Sequence, residues 1–130
     1  MKRAIYIAGK LNADAIGYLF NVHKMMEVAE LVRKAGFAVF IPAIDLLQGI
    51  KFGYTDYHDY FDNGQEWLKR SDGVFLVPGW ETSKGTKMEI ETARSLDIPI
   101  FQDLIQMAEH FGTDKDLAAD QYTILLENYG

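Results

Sequence analysis

The chain of 130 residues contains no cysteine, which removes disulfides, thiolate nucleophiles and cysteine-based zinc sites. No apolar run approaches the roughly 18 residues that a membrane span needs. Thirteen Lys and Arg stand against 19 Asp and Glu, a net charge of −6. A broad surface for a nucleic acid polymer is therefore not expected, because such binding is driven by basic residues releasing counterions. One local anion site for a small phosphorylated ligand stays compatible with that balance. Neither G-x-G-x-x-G nor G-x-x-x-x-G-K-[ST] occurs, so dinucleotide and ATP binding of those types have no support. The histidines, His23, His58 and His110, show no metal-ligand spacing, and no metal and no cofactor are expected.

What is present reads as one soluble α/β domain spanning residues 1–130, with a cytoplasmic location expected. The composition, 48% hydrophobic and 25% charged, is ordinary for a globular protein. The opening MKRAIYIAGK reads as a first strand running into glycine, not as a signal peptide. Strands are expected at 3–9, 37–42, 73–79 and 98–101, with helices at about 15–34, 61–70, 85–96 and 103–110 and a last element near 122–127. The polar segment FGTDKDLAAD (111–120) is expected to be a surface excursion. On the first helix Ile16, Leu19, Phe20, His23, Met26, Val28 and Leu31 are read as one core-facing stripe, with Met25 beside them. Strands alternating with helices imply a flavodoxin/Rossmann-like three-layer sandwich, with a mostly parallel sheet of four to five strands. Ligands of such sheets bind beyond the carboxyl ends of the strands, where strand order reverses. The loops that begin at Gly9, Pro42, Pro78 and Phe101 are therefore the ones to watch.

The third of those loops is the most informative. In PGWETSKGTKMEIETA (78–93) a buried-strand pattern passes through a turn of small residues into a helix. At about 100° per residue, Thr86, Glu89, Ile90, Ala93 and Leu96 share one side. Lys87, Glu91, Arg94 and Ser95 share the other, with Met88 at the boundary. A carboxylate in an apolar stripe is costly unless something satisfies it. Ser83, Gly85 and Thr86 supply hydroxyls and small residues at a strand-to-helix junction, which suits a phosphate or a ribose. Read plainly, Glu89 is an early-helix acid serving backbone N–H groups, and Ser and Thr are also the commonest helix caps. A pocket carboxylate beside an anion site is the more specific combination.

These residues resemble the nucleoside 2-deoxyribosyltransferase-like superfamily, including its nucleotide N-glycosidase branch. IYIAG (5–9), SDGVFLV (71–77) with SKGTKMEIETA (83–93), and LDIPIF (96–101) carry the resemblance in the family's order. It implies that Glu89 is a nucleophile that forms a glycosyl ester and that Tyr6 holds it or lines the pocket; the position suits that chemistry, because a nearby helix N-terminus favours the ionised carboxylate. Gly9 would let the ligand approach the backbone, and Ser83 with Lys84 would favour a 5′-phosphate over a free sugar hydroxyl. Lys10 stands where the family usually has proline. The family's acid on the helix before the third strand aligns with Gly64, so Asp62, the nearest acid, is the candidate only if that helix start shifts. From its place just past the third strand, Trp80 is expected at the pocket mouth, where ligand stacking and dimer packing explain it equally; Asn128 in the C-terminal ENYG is placed to complete a neighbouring subunit's pocket. The resemblance further implies a nucleoside or nucleotide substrate and a homodimer or higher homo-oligomer.

Three alternatives stay open: a non-catalytic nucleotide-binding protein of the same fold, an NAD-type glycohydrolase, and a phosphoacceptor or flavin-binding domain. The last lacks both the acidic cluster and the hydroxyl-rich loop it would want after the first strand, where Ala8, Gly9 and Lys10 stand. The aromatic run Phe52, Tyr54, Tyr57, Tyr60 and Phe61 reads as a lid over a base, a flank of the next helix, or a subunit contact.

Overall fold

Burial on alternate faces explains why the strand segments are almost continuously apolar. In the computed structural model, which describes residues 1–44, 51–53 and 57–130, β1 (Ala4–Ala8) lies between β2 (Ala38–Phe40) and β3 (Gly73–Leu76). Ile5 and Ile7 of β1 and Phe75 of β3 enter one core cluster, whereas Tyr6, Ala8, Val74 and Leu76 enter another on the opposite face. A strand covered on both sides has no polar face to show.

The first cluster is covered by α1 (Ala15–Lys34), α4 (Leu104–Phe111) and α5 (Lys115–Tyr129). The second is covered by α2 (Tyr57–Lys69) and α3 (Lys84–Ser95). With β4 (Ile100–Phe101), the sheet is four-stranded and all parallel, in the order β2-β1-β3-β4. This is the expected flavodoxin/Rossmann-like three-layer arrangement. Strand order reverses between β1 and β3, which opens a crevice at their carboxyl ends. At the opposite end Asp72 accepts the Ala4 N–H at 2.7 Å, so this acid of the SDG segment fixes the start of β1 and lies away from the crevice.

Three expectations need correction. Segment 111–120 is not a surface excursion: Gly112, at φ 68°, ends α4, and α5 begins almost at once behind an Asp114 cap. Asp114 accepts the N–H groups of Asp116 and Leu117 at 3.0 Å, and Ala118 is fully buried. The stripe on α1 is really two faces. Met25, Val28, Ala29, Leu31 and Val32 are buried, whereas Ile16, Leu19, Phe20 and Met26 are between 52% and 80% exposed. His23 is exposed with them and pairs with Glu27 at 2.8 Å. At 100° per residue Ile16 lies opposite Met25, so α1 is apolar on two opposed sides and the core takes only one. Leu96, read as inward, is 49% exposed because α3 has already ended there.

Candidate active site

The crevice holds a cavity of about 310 Å3, within the size range of small-molecule sites. Tyr6, Gly9 and Lys10 reach it from β1 and the turn after it, and Ser83, Gly85, Thr86 and Glu89 from the start of α3. Seven residues singled out from the sequence are thus brought to one place by two chain segments that the sheet sets side by side.

Each is placed for a local reason. Gly9 fits because β1 and β3 converge: a Cβ there would lie 2.7 Å from Val77 Cβ. Strand packing, not ligand approach to the backbone, is what excludes a side chain. Ser83 caps α3 by accepting the Thr86 N–H at 3.2 Å, and it also accepts the Thr86 hydroxyl at 2.9 Å. Those two bonds use the acceptor capacity of the Ser83 oxygen and leave its proton to donate. The first N–H groups of a helix have no carbonyl within their own turn. The Ser83 hydroxyl serves that of Thr86, the Lys87 N–H makes the first regular helical bond to the Ser83 carbonyl, and Lys84 and Gly85 line the cavity. Thr86 is wholly buried, so its role in the wall is to orient Ser83.

Glu89 is partly buried and faces the cavity. Burial pushes its carboxyl up from the ordinary 4.5 to about 7, against the pull of a hydrogen bond from the Tyr6 hydroxyl. The helix N-terminus therefore does not hold it fully ionised, as its place on the helix had suggested. Glu89 is the sixth residue of α3, beyond the first turn, where the dipole acts strongly. Desolvation wins, and the carboxyl is poised between its two forms near neutral pH.

Three expected site residues lie elsewhere. Asp62 is exposed, on an outer groove between α2 and α3 shared with Glu66, Lys69 and Glu91. From α2 it is Phe61 that lines the cavity, and Gly64 is buried against the Tyr6 hydroxyl; the helix start does not shift in the way Asp62 required. Trp80 does not line the cavity. It packs on the second core cluster and donates its indole N–H to Gln102 at 3.3 Å. Asn128 is exposed on α5, and the adjacent Tyr129 hydroxyl bonds Glu27 of α1 in the same chain.

Leu11, Asn12, Tyr18 and Pro42 also line the cavity; of these the sequence marked Pro42 alone, as the start of a loop. Asn12 follows Gly9, in another of the loops that sheet topology marks, so position alone would have found it. Of the aromatic run, Phe61 lines the cavity and Phe52 is 58% exposed. Tyr54 and the side chains of Tyr57, His58 and Tyr60 lie outside the described residues. Among the described residues no three His, Asp or Glu side chains group to hold a metal ion, and no helix is long and apolar enough to cross a membrane.

A family model described as a domain of unknown function, DUF4406, matches residues 3–102, and the chain belongs to that family. The match spans all four strands and the α3 turn and so includes the cavity's principal residues. No curated protein and no solved structure matches the chain.

Proposed function

We propose that the protein cleaves or transfers at the N-glycosidic bond of a (deoxy)nucleoside or nucleoside 5′-monophosphate, with Glu89 as the nucleophile. The observation that carries this reading is a desolvated carboxyl facing a nucleoside-sized cavity, held by the Tyr6 hydroxyl, on the same helix as a hydroxyl-lined N-terminus. A carboxylate oxygen bonds to the anomeric carbon as the carbon–nitrogen bond breaks. The base leaves with that electron pair and takes a proton from water. Water then displaces the ester oxygen, so that one nucleoside and one water yield one base and one sugar; a second base in place of water gives transfer. Ser83, Lys84 and Lys10 would bind a 5′-phosphate as neutral and cationic donors.

A second reading, a nucleotide-binding protein without turnover, is favoured by one observation: Glu89 is the only carboxylate among the described residues lining the cavity, so no second acid stands ready for the leaving base. As partners we propose a small nucleoside or nucleotide and a second copy of this chain on the exposed α1 face, with a cytoplasmic location. Purified protein is to be incubated with nucleosides, nucleoside monophosphates and NAD, and the free base quantified, with Glu89→Ala in parallel. Base released by wild type and not by the variant supports the first reading. Release from NAD alone would identify the glycohydrolase, and tight ligand retention with no base released would leave the binding protein.

A further inference from the structure

Glycine weakens a helix interior relative to alanine, yet Gly64 stands buried in the middle of α2. An ideal Cβ built there lies 2.9 Å from the Tyr6 hydroxyl oxygen and 3.9 Å from the ring carbon that bears it. The ring has little room to yield. It is 2% exposed, it sits in a strand paired on both sides, and it stacks on Phe40 at 5.5 Å between centroids. Phe40 stacks in turn on Trp67 at 5.6 Å, and Trp67 belongs to α2, one turn beyond Gly64. One helix thus bears on Tyr6 twice, through the ring stack and through the gap at the hydroxyl.

We infer that Gly64 is a positioning residue, whose missing side chain leaves the space from which the Tyr6 hydroxyl reaches the Glu89 carboxylate. The inference deepens the reading of Glu89 as the working group of this site. Other titratable groups also face the cavity: Lys10 after β1, Tyr18 of α1, and Lys84 at the start of α3. From α2 the cavity receives Phe61, which carries no charge. Burial and the Tyr6 hydroxyl are what act on the Glu89 carboxyl. A methyl group at position 64 would displace that hydroxyl and leave burial acting with nothing opposed to it.

The test is a carboxyl-carbon NMR titration of Glu89 in the full chain, the resonance being assigned with Glu89→Gln. Gly64→Ala and Tyr6→Phe are each expected to raise the midpoint by about one pH unit, because each removes a bond that favours the charged form. The double variant should titrate like Tyr6→Phe alone. If the base-release reaction is present, its pH profile should move upward in Gly64→Ala by the same amount, which a loss of folded protein would not produce. A wild-type midpoint in folded Gly64→Ala overturns the inference. Should Gly64→Ala alone fail to fold, the same substitution in the Tyr6→Phe background decides, since the atom at 2.9 Å is gone. Folding restored there supports the inference, and failure there too assigns Gly64 to a backbone need and overturns it. The midpoints do not depend on turnover, so base release persisting in Glu89→Ala would sink the reaction without touching the titration.

Discussion

Replacing Glu89 with glutamine should stabilise the protein at alkaline pH and do little in mild acid. The carboxyl titrates at about 7 when folded, against an ordinary value of 4.5. A group whose folded value is raised contributes stability that is fully present below the unfolded value and lost as pH rises through the folded one. The gap of 2.5 pH units, at about 1.36 kcal/mol per unit, amounts to ~3 kcal/mol lost by pH 8. At pH 5 the same linkage leaves a loss of under about 1 kcal/mol. Glutamine keeps an oxygen for the Tyr6 hydroxyl and has no such titration. Between pH 5 and pH 8 its stability relative to wild type should therefore improve by about 2 to 3 kcal/mol, on the order of 10 °C in Tm for a domain of this size. Urea unfolding followed by tryptophan fluorescence at pH 5, 6, 7 and 8 reads this directly. Wild-type and Glu89→Gln stabilities that run parallel across that range would refute the argument that the Glu89 charge is desolvated.

The same titration sets the rate: base release should rise with pH, reach half its plateau near 7 and vanish in Glu89→Gln, as a pH–rate profile will show. Asp62→Asn should leave turnover within about twofold of wild type, because an exposed group outside the cavity has no path to the reacting atoms. Ser83→Ala should destabilise α3 by about 1 kcal/mol through its lost cap. It should also raise KM for monophosphates more than for free nucleosides, measured by steady-state kinetics. If the homodimer proposed above forms through the exposed apolar side of α1, where Leu19 and Phe20 lie, Leu19→Glu with Phe20→Glu should yield a folded monomer by light scattering.

How much of this was legible in the sequence varied with the kind of signal. β1 and β3 stood out because strands buried on both faces are uninterrupted apolar runs, and a parallel sheet then dictates where a ligand sits. Glu89 stood out because a helix has one phase, and its phase was fixed by Ile90 and Ala93, both buried as expected. The α1 face did not, because periodicity reports where apolar residues are and not which of two apolar sides the sheet takes. Asp62 was chosen as the acid nearest to the aligned position, Gly64, and only if the helix start shifted. On α2 the position aimed at Tyr6 is glycine, and a gap gives no chemical signal in one sequence. Trp80 was misplaced because a tryptophan beside a pocket is as well satisfied by a neighbour such as Gln102 as by a ligand, and only coordinates tell these apart.

The energetic cost of Glu89 bears on the choice between enzyme and binding protein. A receptor for a neutral sugar or base gains nothing from a carboxyl that costs ~3 kcal/mol when ionised, since glutamine offers the same acceptor without that loss. A nucleophile does gain: its charge is poorly solvated before attack and is consumed as the ester forms, while a developing oxocarbenium ion benefits from it on the way. The other end of the cavity strengthens the case. Lys84 and Glu89 stand five residues apart on α3, about 7.5 Å along the axis at ~1.5 Å per residue, and Lys10 joins Lys84 in the wall. The cavity therefore offers cationic donors at the helix start and an anion further along. A nucleoside 5′-monophosphate has the matching polarity, a phosphate at one end of its sugar and, at the other, the carbon that turns cationic as the base departs. A ligand held only by its base and neutral hydroxyls would have use for neither charge.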